Sequence, residues 1–164
     1  MSSANQKRQA LLKVKDEQML DEFGRFFRAM LLDLLREPGK ERMLRKMDVS
    51  VAIEPVGHPE SALTLTFRGG RVMLESGAAR NVDVRLKCTV ITLMKLARVP
   101  AGPRALKFMM GPVGKDLLAS MRAGDLKVRG IARHPRGMMG FSRFLSPVES
   151  RQEPAVGRGY AGAK

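Results

Sequence analysis

From Val49 to Arg129 the chain repeatedly alternates apolar and polar residues. Val49, Val51 and Ile53 alternate with Ser50, Ala52 and Glu54, and Leu63, Leu65 and Phe67 alternate with Thr64, Thr66 and Arg68. After Gly69-Gly70, Val72 and Leu74 resume the pattern; Val82, Val84, Leu86 and Cys88 then alternate with Asp83, Arg85 and Lys87. Leu126 and Val128 alternate with Lys127 and Arg129 inside Asp125–Ala132. Successive strand side chains point to opposite faces, so each stretch predicts a strand with one buried and one solvated side. Gly69-Gly70 predicts a two-residue hairpin turn, because glycine tolerates positive φ. Together they predict an α+β fold, a five-stranded, largely antiparallel sheet covered on one face by helices.

Around these strands the period changes to three and four. Met19/Leu20, Phe23, Phe26/Phe27, Met30/Leu31 and Leu34 place one apolar stripe on a helix over Asp16–Arg36, ended by Pro38-Gly39. A short helix through Met43, Leu44 and Met47 follows. Helical segments are also expected at Thr89–Arg98, Arg104–Met110 and Lys115–Arg122, separated by Val99-Pro100-Ala101-Gly102-Pro103 and Gly111-Pro112. Gly124 is placed as a helix stop, and Pro135 as the first position of a last helix bearing Met138, Met139, Phe141, Phe144 and Leu145. The organisation read from these patterns is a flexible N-terminus over 1–15, a helical segment over 16–47, a sheet-containing domain over 48–147 and a disordered basic tail over 148–164.

Twelve methionines and seven phenylalanines carry much of the large apolar volume, and tryptophan is absent. Methionine adapts its shape to irregular space, which suits a wall facing a loosely specified apolar ligand. Gly137 and Gly140 interrupt an otherwise apolar helix, each at a cost of about 1 kcal/mol against alanine; such glycines let something approach the helix or let it bend.

Of the formal charge of +14, residues 88–164 hold +10, with 14 basic and 4 acidic side chains. A field of that sign attracts anionic membrane surfaces or nucleic acid. No stretch approaches the roughly 18 apolar residues of a membrane span, and no signal peptide is visible, so a cytoplasmic location is expected. The single cysteine, Cys88, excludes an internal disulfide and is expected to be a buried structural thiol. His58 and His134 each precede a proline and have no metal-ligand spacing, so they read as turn or surface residues. No acid–base pair, nucleophile elbow or phosphate-binding loop stands out. The chain reads as a non-enzyme without cofactor or metal.

The order of these pieces resembles the sterol carrier protein 2 family of lipid-binding domains. The resemblance rests on Leu63–Glu75 with its Gly69-Gly70 turn, Asn81–Leu86, Ile91–Leu96, and Met121–Gly130 with the helix after it. Between Leu96 and Met121 the sequence departs from the family pattern, with two extra breaks and an added helical piece. The resemblance implies an apolar tunnel between sheet and helices, and non-catalytic binding and presentation or transfer of an acyl chain, sterol or isoprenoid quinone precursor. On that reading Phe108, Met109, Leu117, Met121, Met138 and Phe141 face the ligand, with Phe26, Phe27 and Met30 as further candidates. Arg104, Lys107, Lys115, Arg122, Arg133, Arg136 and Arg143 are placed to dock an anionic membrane surface, and a lipid-using enzyme is a further expected partner. The alternative is a nucleic-acid-binding protein using the basic C-terminal half. That alternative is disfavoured, because neither a zinc-finger pattern nor an aromatic platform for base stacking is visible.

Overall fold

The computed structural model describes residues 10–97 and 110–146. In chain order the strands are β1 (Leu12–Lys15), β2 (Val49–Pro55), β3 (Leu63–Arg68), β4 (Arg71–Ser76), β5 (Val84–Cys88) and β6 (Leu126–Arg129). The helices are α1 (Glu22–Leu34), α2 (Lys40–Leu44), α3 (Val90–Ala97), α4 (Pro112–Ala123) and α5 (Pro135–Leu145).

The strands form one sheet in the order β1-β4-β3-β2-β5-β6. It is mixed: β1 pairs with β4, and β2 with β5, in parallel, while the other three pairings are antiparallel. Two expectations are corrected here. The sheet has six strands, because Leu12–Lys15, assigned above to a flexible leader, adds an edge strand beside β4. The long helix expected over Asp16–Arg36 is divided. A short 3₁₀ turn occupies Glu17–Met19, and α1 starts only after Asp21, whose carboxylate accepts the Gly24 N–H at 2.8 Å. That is an N-cap, and it satisfies one of the donors a helix start leaves open.

Register puts every apolar alternation on one side. Leu12, Val72, Phe67 and Val49 stand in one row, and Val14, Leu74, Leu65, Val51 and Val84 in the next. These residues merge with Leu31, Leu34 and Leu44 from α1 and α2 and with Phe141, Phe144 and Leu145 from α5 into one core. The Gly69-Gly70 turn has φ of 59° and 73°, the two positive values that a two-residue hairpin of this hand requires. Gly124 ends α4 at φ 83°, and Pro135 opens α5, both as the sequence predicts.

Candidate functional site

The layer between the sheet and α5 is packed by the protein's own rings. Phe67 of β3 meets Phe141 and Phe144 of α5 at centroid separations of 5.9 and 5.4 Å, edge-on, and all three are fully buried. Gly137 is explained by the sheet rather than by a guest. A Cβ built there would lie 2.7 Å from Val49 Cγ2 and 3.1 Å from Val49 Cβ, so α5 rests directly on β2. Gly140 has only ordinary contact with Met47. Gly137→Ala is therefore expected to destabilise by about 1–2 kcal/mol despite alanine's better helix propensity, because Val49 is β-branched and held in a strand. Urea unfolding of the two proteins measures this.

Around α3 and α4 the packing is more open. α3 and α4 pack on each other, joined by an ion pair of 3.2 Å between Lys95 Nζ and Asp116 Oδ2. Leu93 and Leu117 turn into the core. Val90, Ile91, Met94, Leu118 and Met121 of these helices, with Met110 just before α4, are exposed.

The residues singled out in the sequence are distributed as follows. Phe27, Leu117 and Phe141 are buried in the shared core, and Met30 and Met138 are half-buried against it. Phe26 and Met121 are 46% and 47% exposed. Phe27 stacks at a tilt on Phe23, 5.5 Å away. Lys115, Arg122, Arg133, Arg136 and Arg143 all lie on the surface. Arg104, Lys107, Phe108, Met109 and the tail over 148–164 lie outside the described residues. The sequence reading passed over Lys40 on α2, a fully buried lysine that donates to two carbonyls at the end of α5. Nothing in the charged run Arg36-Glu37-Pro38-Gly39-Lys40-Glu41-Arg42 sets it apart in the sequence.

A cavity of about 270 Å³ lies at the far edge of the sheet, bounded by Leu12, Val14, Leu32, Glu17 and Arg28. Arg28 pairs with Glu17 at 3.1 Å, and its buried Nε has no hydrogen-bond partner among the described residues.

Among the described residues, no three His, Cys, Asp or Glu side chains converge as a metal site. His58 is exposed beside Glu60. His134 Nε2 lies 3.5 Å from Asp83 Oδ1. Burial works to raise the Asp83 pKa, but the Ser50 N–H and hydroxyl, at 2.7 and 2.8 Å, and the nearby His134 outweigh it and hold the carboxyl below its ordinary range. Burial pushes the Cys88 thiol up to about 11. A group with that value is a thiol at neutral pH, not a thiolate nucleophile. Cys88 should therefore resist a thiol reagent in the folded protein and react at the free-cysteine rate once urea unfolds it, which a labelling time course reads directly.

No protein-family model matches the sequence, and no curated protein matches it. Solved structures are similar in fold. One described as a UbiJ-SCP2 ubiquinone synthesis protein superposes with a TM-score of 0.50 at 18% identity, over 75% of this chain and 91% of its own. A crystal structure of sterol carrier protein 2 gives a TM-score of 0.44 at 15% identity, over 85% of this chain and all of its own. The class is thus defined by architecture: this chain has the fold of a sterol carrier protein 2 domain, built on a mixed six-stranded sheet.

Proposed function

We propose that the protein binds a hydrophobic lipid against the α3–α4 helix pair and presents or transfers it without a catalytic step. The observation that carries this reading is the concentration of exposed apolar volume there. Val90, Ile91, Met94, Met110, Leu118 and Met121 make up more than half of the large apolar side chains that the described residues leave in water. Three of those six are methionines, Met94, Met110 and Met121, whose flexible side chains can repack around a guest. A well-packed monomer scatters such residues singly; a cluster marks a binding surface. The fold supports the reading in a second way, since the similar solved structures are named as a sterol carrier protein and as a ubiquinone synthesis protein. The cargo classes that suit such a surface are acyl chains, sterols and isoprenoid quinone precursors, with a lipid-using enzyme as recipient.

The centre of the layer between sheet and α5 is filled by Phe67, Phe141 and Phe144, so the guest is placed on the α3–α4 side rather than there. Leu117 and Leu93 would form its floor. Burying one methylene is worth about 0.8 kcal/mol, so affinity for neutral chains should rise about fourfold per added carbon until the surface is covered.

Two measurements test the reading. Organic extraction of the purified protein, followed by mass spectrometry, should release lipid in stoichiometric amount. A fluorescent long-chain neutral probe should bind in high salt as well as low, and Met94→Ser with Leu118→Ser should together weaken it by about tenfold. Both residues are exposed, so the fold tolerates the change. Absence of both co-purified lipid and probe binding sinks the reading.

A further inference from the structure

The end of the β5–β6 ribbon gathers opposed basic charges beside exposed apolar side chains. β5 and β6 pair so that Lys87 stands directly opposite Lys127, and Arg85 opposite Arg129, on the outer side of the sheet. Like charges in direct cross-strand register weaken a sheet. Arg85 is compensated by an ion pair with Glu54, the residue that neighbours Lys87 across β2. Among the described residues, no acid lies within ion-pair distance of Lys87, Lys127 or Arg129.

Edge protection explains only part of this. Both edge strands read alike, Leu-Lys-Val-Lys in β1 and Leu-Lys-Val-Arg in β6, and lysines on an edge discourage pairing with another chain. That accounts for Lys127 and Arg129 but not for Lys87, which sits one strand in.

The same end of the ribbon is where the helix pair begins and ends. Cys88 pairs with Leu126, α3 starts two residues after Cys88, and α4 stops three residues before Leu126. Because Cys88 and Leu126 are paired, the first residues of α3 and the last of α4 both lie a few residues from this end of the ribbon, and the Lys127 side chain passes 3.6 Å from where a Cβ on Gly124, the residue that ends α4, would sit. Ile91, 68% exposed, and Met121, also exposed, thus stand within a few residues of this end of the ribbon, as do Lys87, Lys127 and Arg122.

We infer that this corner seats the protein on an anionic phospholipid bilayer. The lysines and Arg122 would meet the headgroups, while Ile91 and Met121 would enter the boundary of the acyl region. Basic charge alone suits any polyanion. Large apolar side chains left in water near those charges suit a bilayer, which sets hydrocarbon directly beneath anionic headgroups. This goes beyond the cargo reading and does not depend on it, since docking can be measured with no cargo present.

The test is co-sedimentation of the full chain with vesicles of phosphatidylcholine and with vesicles containing about 30% phosphatidylglycerol. Binding is expected only to the anionic vesicles, weakening as salt is raised. Lys87→Glu with Lys127→Glu should weaken it at least tenfold, and Ile91→Ser with Met121→Ser should weaken it severalfold at fixed salt. Arg71→Glu, at an exposed position of β4 on the other side of the sheet, should leave it within twofold, where Lys127→Glu alone, the same charge change, weakens it. A folding control is built in: Lys127→Glu alone places an acid opposite Lys87 and should raise Tm while still weakening binding. The inference is overturned if the full chain ignores anionic vesicles, or if Arg71→Glu matches the Lys87/Lys127 pair. It is also overturned if the apolar variant binds vesicles unchanged while single-stranded DNA competes for the basic corner.

Discussion

Replacing Gly130 with alanine is expected to remove about 4 kcal/mol or more of stability, enough to lower Tm by roughly 10 °C. Gly130 ends β6 at φ 91°, a conformation that side-chain-bearing residues rarely adopt. A Cβ there would lie 2.0 Å from the Asp83 carbonyl oxygen, 3.1 Å from the carbon behind it and 3.3 Å from Val84 Cα. All three neighbours are backbone, so no rotamer change relieves the overlap, and β5 would have to part from the turn that leads into α5. That turn is closed by the Gly130 carbonyl, which accepts from the Arg133 and His134 N–H groups at 3.1 and 3.0 Å. Asp83 in turn clamps β2 through Ser50. One methyl group thus disturbs the joint between β2, β5, β6 and α5. Gly57→Ala supplies the comparison: its φ is 86°, with nothing within 4 Å of the added Cβ. The strain of positive φ is common to both variants, and the difference in their urea midpoints isolates the close approach. Equal midpoints would mean that the backbone contact at Asp83 carries no weight.

The segment around Gly130 shows what sequence can and cannot convey. Gly124 and Gly130 bracket Asp-Leu-Lys-Val-Arg, and both have the positive φ their type suggests; the reason Gly130 needs it, a contact with Asp83 47 residues earlier, is not local. The same distinction runs through the fold. The alternations of β2 to β6 were legible because each is a local pattern of period two, and the sheet places them in one apolar face. β1 was not, because Leu12 and Val14 supply only two apolar positions, and their partner β4 lies 60 residues away in a parallel pairing that no turn announces. The break before α1 rests on the Asp21 side chain, whose capping role competes with an unbroken apolar stripe. At the candidate site, periodicity placed Phe27, Leu117 and Phe141 on inward faces without separating a lining residue from a core residue. Gly137 signalled a close approach without saying to what, for the same reason; the approaching group is Val49 of the neighbouring layer.

Lys40→Met should be nearly as costly, at about 3 kcal/mol, although it replaces a buried charge with an apolar side chain of similar length. Lys40 is fully buried at the start of α2. Its ammonium donates to the carbonyl oxygens of Phe144 at 2.5 Å and Ser146 at 2.6 Å, lies 3.4 Å from Glu37 Oε2, and sits 5.5 Å from the centroid of the Phe144 ring. The last carbonyls of a helix have no partner within it, and they carry the negative end of its dipole. A lysine there supplies donors and a complementary charge together, and it ties the end of α5 to α2 across more than a hundred residues of chain. Replacing well-paired buried ions on both sides by apolar residues is often harmless, but removing one side leaves the other desolvated. Methionine fills the space and offers neither donor nor charge to the two carbonyls. A surface comparison fixes the scale. Arg45 pairs with Glu41 at 2.8 Å with its side chain 71% exposed, and Arg45→Met should change stability by no more than about 0.5 kcal/mol. The Lys40 ammonium bonds to the end of α5 and pairs with Glu37, neither of them on α3 or α4, so anionic-vesicle binding by Lys40→Met, measured well below its Tm, should stay near that of the unmodified protein. A Tm shift as small as that of Arg45→Met would show that water or a neighbouring group takes the place of the ammonium, and that α5 is held by its packing on Phe67 and Val49.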